Sequence, residues 1–371
     1  MSISNKKIKL HIVIIAISLV LILGLAAALT YYVDPFFHYH APLKGFSYVI
    51  DNQLTQNPGM AQHMEYDSVI LGSSMTVNFE TDYFKELMDL NTLKLSYSSA
   101  YPKDISNILE KVYEPQNDGS VRKIKKVFLG LDIVTYSGDV NETKYPLPKY
   151  LYDKNPINDI NYLINKDVLL NYVLRPIVDP EPMNMSHIYA SWWTDDYYNE
   201  EWVLLNHDPI LVKNEKQMDE EAFVEPINAN LNTNIIPYIT EHPETEFVIF
   251  FPPYSILFWN DVIMDNRLQA TINAYKCVEK ALNCYDNVTM YYFPAMEDVV
   301  TDLNNYADYT HYHPRVNRFM TECFLGDEYR ISKDDNDIEM SMDSYINKLN
   351  DMLDTYDFEL LNEKIRNYHK N

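Results

Sequence analysis

The feature that most constrains this chain is a rhythm. Short apolar runs of strand length stand at residues 68–71, 93–97, 126–131, 247–251 and 288–293, with helix-spaced apolar patterns between them. Ile105, Ile108, Leu109 and Val112 follow i, i+3, i+4, i+7 spacing, and Leu268, Ile272, Tyr275, Val278 and Leu282 repeat it further on. Such spacing places apolar side chains on one helix face. Buried strands alternating with amphipathic helices make a mostly parallel sheet covered on both faces. The expected fold is therefore α/β, doubly wound around five strands. Between residues 136 and about 220 the rhythm breaks, and Pro, Tyr and Trp, including the stretch SWWTDDYY with Trp192 and Trp193, show no sustained period. A structureless loop of that length is uncommon in a compact domain, so this segment reads as a large insertion after the third strand, over a binding face.

Ahead of the rhythm, Lys6, Lys7 and Lys9 precede a charge-free run over residues 12–29. Its length approaches the roughly 17 to 25 residues a helix needs to cross a bilayer. Lysines on its leading side place the N-terminus in the cytoplasm and the rest of the chain outside. Ala26, Ala27 and Ala28 offer a signal-peptidase site, but the apolar core of a cleaved signal is usually only about 7 to 15 residues, which favours an uncleaved, single-pass anchor. The organisation expected is a cytoplasmic tip and transmembrane anchor (1–31), a membrane-proximal linker (32–65), an α/β domain (66–330) and an acidic amphipathic C-terminal helix (331–371) that carries Tyr345, Ile346, Leu349, Met352 and Leu353.

A formal charge of -24 argues against nucleic-acid partners, because a phosphate polymer would be repelled across most of the surface. Neutral, zwitterionic or cationic partners fit better. An extracytoplasmic domain also makes cytosolic nucleotide cofactors unexpected, and no cofactor is assigned. Cys277 and Cys284 lie in a helical pattern, where seven residues rise about 10.5 Å against a disulfide limit of about 7 Å between Cα atoms. They continue the stripe Ala270, Ala274, Cys277, Ala281, Cys284 and read as buried thiols. Metal binding through His38, His40, His311 and His313 has loose spacing and no clustered carboxylate.

Ligands of a doubly wound sheet bind beyond the carboxyl ends of its strands. There the first strand delivers Gly72, Ser73 and Ser74, the fourth delivers Tyr254 and Ser255, and the loop after the fifth carries YADYTHYHPRVN, with Asp308 and His311 three apart. A serine hydroxyl becomes a useful nucleophile when a base takes its proton, and the base works best when a carboxylate fixes its tautomer. Asp308 and His311 can supply both functions to Ser74. Taken singly, Gly-Ser-Ser after a strand is a turn, and D-x-x-H before a helix is a capping aspartate beside a solvated histidine. Their joint placement on the first and last strands of one sheet favours catalysis.

These two blocks resemble the SGNH, or GDSL-type, hydrolase superfamily, whose first block is a strand followed by G-D-S and whose last is D-x-x-H. LGSSM matches the first with Ser74 as nucleophile and Ser73 in place of the Asp, and DYTH matches the last. The resemblance implies a flavodoxin-like sheet. It also implies an oxyanion hole built from a second-block backbone N–H, at Ser99 in LSYSSAYP, and from a third-block Asn, where LGLDIV has Asp132. An ionised Asp132 would repel the oxyanion. Three outcomes are open: Asp132 points elsewhere and backbone N–H groups suffice, the activity is slow, or the site is degenerate. The anchor and the G-S-S block are also similar to D-alanyl-lipoteichoic acid biosynthesis proteins and to SGNH-like polysaccharide acetyltransferases. By that similarity the chain is a serine acyltransferase or esterase acting on a cell-envelope polysaccharide or teichoic-acid-like polymer, with a membrane-bound O-acyltransferase as partner. A non-catalytic envelope protein that scaffolds such a membrane enzyme is the alternative. Hydrogen-bond reach between Ser74 and His311 would separate the two.

Overall fold

The apolar runs form the strands of one sheet in a computed structural model that describes residues 5–116, 119–190, 194–334 and 336–368. β1 (Ser68–Leu71), β2 (Thr92–Lys94), β3 (Lys126–Gly130), β4 (Glu246–Phe251) and β5 (Val288–Tyr292) are parallel, and β6 (Arg330–Ile331) pairs antiparallel with β5. The order is β2-β1-β3-β4-β5-β6. Six strands therefore replace the five expected. β6 is only two residues long, one of them charged, and so carries neither an apolar run nor an alternation that a sequence could show.

Central strands are buried on both faces, as Val69, Ile70, Val127, Leu129, Phe247 and Ile249 show. The helices Pro102–Tyr113 and Leu268–Leu282 lay the predicted stripes inward, with Ile105, Ile108, Leu109 and Val112 on one and Ile272, Tyr275, Val278 and Leu282 on the other all buried. From β1 the chain crosses to β2 on one side and returns to β3 on the other. That reversal opens a crevice beyond the carboxyl ends of β1 and β3. The strand read at 93–97 is shorter than expected, and its Lys94 is buried. Lys94 Nζ donates to the carbonyls of Val77, Ser186 and Ile188 at 2.7, 3.0 and 3.1 Å, which lets a lysine sit inside a strand although burial pushes its amine down to about 7.

The chain divides into two compact units, Glu65–Tyr145 with Met185–Asn371, which holds the sheet, and Met1–Met64 with Pro146–Asn184. The second of these contains α1 (Asn5–Val33), the one helix among the described residues that is long and apolar enough to cross a membrane. Within the stretch read as an aperiodic linker lies a helix, Gln53–His63. Its buried residues, Gln56, Asn57, Pro58, Gly59, Met60 and Ala61, run consecutively and mix polar with apolar, which leaves no apolar period to read. Gly59 is needed there, since a Cβ would meet the Phe36 carbonyl oxygen at 2.0 Å.

Two further expectations change. The C-terminal helix is a pair, Met342–Thr355 and Phe358–Tyr368. The helix carrying the cysteine stripe stops at Leu282, so Cys284 is exposed rather than buried, and Cys277 is half-buried with its thiol donating to Asn228.

Candidate active site

β1 ends on Leu71, and Gly72 turns the chain at φ 139°, in the region that favours glycine. A Cβ on Gly72 would lie 2.7 Å from Thr76 Cγ2 and 2.9 Å from the Gly130 carbonyl oxygen, so the end of β1 and the end of β3 approach only because this residue is bare. Ser73 then caps a tight turn over Ser74–Thr76, its Oγ accepting from the Met75 N–H at 3.2 Å. The turn projects Ser74 from the end of a rigid strand. Tyr312 holds it from behind by donating to the Met75 carbonyl at 2.9 Å.

Asp308 and His311 come from the loop that precedes the helix Pro314–Cys323. A bridge between Tyr306 and Tyr312 closes that loop at its base, and Tyr306 donates to the Pro253 carbonyl at 2.7 Å. Oδ1 of Asp308 accepts from the Thr310 N–H at 2.8 Å and the His311 N–H at 2.7 Å, while Oδ2 lies 2.6 Å from His311 Nδ1. Burial pushes the Asp308 carboxyl up, but the His311 ring and these N–H donors outweigh it and hold the group below its ordinary value. An ionised carboxylate only accepts, so Nδ1 carries the proton and Nε2 is left as acceptor. Ser74 Oγ is 2.7 Å from that Nε2. The structure thus brings Ser74, His311 and Asp308 into one hydrogen-bonded line across 237 residues of sequence.

The line opens into a cleft of about 280 Å³ whose wall includes Ser99, Asp132, Tyr254, Phe258 and Arg267. Ser99 is exposed and left-handed at φ 58°, a conformation in which glycine is at ease. Asp132 is buried and lies two residues beyond the end of β3. Tyr254 donates to Asp132 Oδ1. Burial pushes the Asp132 carboxyl above the usual range, against opposing pulls from Ser73, Tyr254 and the nearby His311. The Tyr254 phenol is also raised, by burial and by Asp132 beside it.

Not every expected residue reaches the cleft. Ser255 is fully buried, donating from Oγ to the Tyr309 carbonyl at 2.7 Å and accepting from the Leu257 N–H. It ties the loop after β4 to the Asp308 loop. Gly72 shapes the turn without lining the cleft, and Trp192 and Trp193 lie outside the described residues. Arg267 was not singled out by sequence. It occupies the short turn between the helices Ile256–Met264 and Leu268–Leu282, its guanidinium 5.7 Å from the Phe258 ring centre and 3.5 Å from Asp265. A lone arginine between two helices carries no motif, and only the three-dimensional path brings it to the cleft. Among the described residues no group of three His, Cys, Asp or Glu side chains is arranged to hold a metal ion.

No family model matches the chain, and no curated protein matches its sequence. Among solved structures, a Streptococcus pneumonia protein provisionally designated a platelet activating factor is similar over 74% of this chain and 89% of its own, at 11% identity and a TM-score of 0.37.

Proposed function

We propose that the chain is a membrane-anchored, extracytoplasmic serine acyltransferase or esterase of the SGNH type, acting on O-acyl groups of a cell-envelope glycopolymer. One observation carries this reading: Ser74 Oγ, His311 and Asp308 stand in hydrogen-bond contact at the mouth of a cleft. Hydrogen-bond reach between Ser74 and His311 favours an enzyme over a scaffold that has lost its chemistry.

Ser74 attacks the acyl carbonyl as His311 Nε2 takes its proton. Asp308 stabilises the imidazolium and holds the tautomer. Collapse of the tetrahedral intermediate returns that proton to the leaving alcohol and leaves an acyl-serine. A second alcohol or a water, deprotonated by His311, then releases the acyl group. Transfer and hydrolysis differ only in that acceptor.

The oxyanion needs donors. The N–H groups of Ser74 and Ser99 are two, and Asp132 occupies the wall where the resemblance places an amide. A neutral carboxyl can donate a hydrogen bond, whereas an ionised one would repel the developing charge. Burial of Asp132 works toward the neutral form.

The test is an assay of the full chain with an acyl donor and a polysaccharide acceptor. Released acid or acylated polymer should accumulate with the native chain and not with Ser74→Ala. Equal turnover in that variant would overturn the assignment.

A further inference from the structure

The unit that contains α1 also exposes apolar side chains outside α1. The helix Val168–Val178 is apolar and 11 residues long by its bounds, too short to span a bilayer and of the length expected for an interfacial segment. It is apolar but for Asn171, Tyr172 and Arg175, with Asn171 and Arg175 exposed, and only one side is used within the protein. Val168, Val173 and Pro176 face inward, Val168 in a cluster with Phe36, Leu151 and Tyr162. On the other side Leu170, Leu174, Ile177 and Val178 repeat at i, i+4, i+7, i+8, with Ile177 57% and Val178 84% exposed. Just before this helix three more isoleucines point outward, Ile157 in a turn and 83% exposed, Ile160 at the start of the short helix Ile160–Leu163 and Ile164 at its end. Two adjacent segments thus turn large apolar side chains outward, a pattern that water alone does not favour.

What covers these side chains follows from where they are tied. Both segments pack on α1. The tie lies just past the end of α1. Asp34, buried and left-handed at φ 48°, accepts from the backbone N–H groups of His38, Tyr39 and His40 and, at 2.9 Å, from the Tyr162 hydroxyl. That hydroxyl in turn accepts from the Phe36 N–H at 3.0 Å. The apolar stretch Lys7–Val33 has 27 residues, about 40 Å of helix against a hydrocarbon core of about 30 Å. With Lys7 and Lys9 at one boundary, Thr30 to Val33 and the exposed Tyr31 and Tyr32 reach the other, the level at which tyrosines concentrate. Tyr162 is fastened to Asp34 and Val168 packs on Tyr162 and Phe36, so both segments are held beside that headgroup boundary.

We propose that Ile157, Ile160, Ile164, Leu170, Leu174 and Ile177 form a second membrane contact, immersed at the headgroup–acyl boundary of the leaflet in which α1 ends. The occupant of this face is the lipid bilayer. A helix lying in the plane beside a spanning one fixes the tilt of its unit and limits its rotation about α1, which a single helix does not do.

The test places p-benzoylphenylalanine in the full chain at Leu174 or at Ile177, with Leu21 of α1 as the lipid-facing reference and Asn155 as an exposed polar control. Each variant is reconstituted in phosphatidylcholine–phosphatidylglycerol vesicles, checked for a cooperative melt, irradiated and read by intact mass. Phospholipid adducts at Leu174 or Ile177 at a yield within a few-fold of Leu21, with none at Asn155, are the expected result. Adducts at Leu21 alone would overturn the proposal, as would crosslinking of the stripe to another protein in cells in place of lipid.

Discussion

The Tyr254 phenol donates to Asp132 Oδ1, and both side chains are buried at the wall of the cleft that Ser74 faces. A carboxyl confined in this way is pushed toward its neutral form by burial, with Ser73, Tyr254 and His311 pulling against it. In the folded chain it therefore binds its proton more tightly than in the unfolded chain. Its contribution to stability is complete below the ordinary carboxylate value, about 4, and is lost as pH rises through the folded value. Asp132→Asn has no proton to lose. Melting temperatures of the two proteins should diverge as pH rises from about 4 to about 8, with the Asn variant ahead at the upper end. A difference that shrinks with pH would contradict the environment described for Asp132.

The same substitution bears on catalysis. An Asn amide donates at every pH, so esterase turnover of Asp132→Asn should stay within a few-fold of native or exceed it at neutral pH, and any alkaline decline due to Asp132 should vanish. Asp132→Ala removes the donor altogether and should lose roughly 10² to 10³ in kcat. Turnover lost equally in the Asn and Ala variants would mean that the carboxylate itself is required.

Asp308 has the opposite sign. Burial opposes its ionisation, but His311 and the Thr310 N–H prevail and hold it below its ordinary value. Its stabilisation is present above about pH 4 and fades as pH falls through the folded value. Asp308→Asn should therefore melt below native at pH 7, with the gap closing in acid. Its turnover should fall by roughly 10² to 10⁴, because the His311 tautomer is no longer fixed. A gap that widens in acid would contradict the pairing.

Ser99 holds a left-handed backbone at φ 58°. That conformation costs a non-glycine residue about 1 to 2 kcal/mol, while the added freedom of the unfolded chain returns about 0.4 to 1 kcal/mol of it. Ser99→Gly should thus stabilise the protein by about 0.5 kcal/mol, read as a higher urea midpoint with unchanged slope. Gly72→Ala should do the reverse, costing more than about 2 kcal/mol, since its Cβ would press on Thr76 and on the Gly130 carbonyl.

How much of this was legible depends on which signals repeat. The stripes Ile105 to Val112 and Leu268 to Leu282 declared their helices because burial follows a period, and four of the five parallel strands announced themselves as apolar runs, while β2, Thr92–Lys94, met its run only in part. β6 and the helix Gln53–His63 carried no such mark, one too short and the other burying an unbroken run in which Gln56, hydrogen-bonded to the Pro35 carbonyl, and Asn57 stand beside Met60 and Ala61. At the site, Ser74, Asp308 and His311 were readable from type and spacing. Arg267 was not, because its place in the cleft comes from the path of two helices, and Ser255 was misplaced because position beyond a strand says nothing of which way a side chain turns. The Tyr254–Asp132 hydrogen bond spans 122 residues, a pairing without local trace.

The most direct test of the central claim is intact-mass analysis of the full chain after brief treatment with a fluorophosphonate, which reacts fastest with an activated serine, with Ser74→Ala treated in parallel. The Ser74–His311–Asp308 line predicts one adduct on the native protein and none on the variant, whose melting temperature should be nearly unchanged. An adduct that persists in Ser74→Ala, or none on folded native protein, would contradict the assignment of Ser74 as nucleophile.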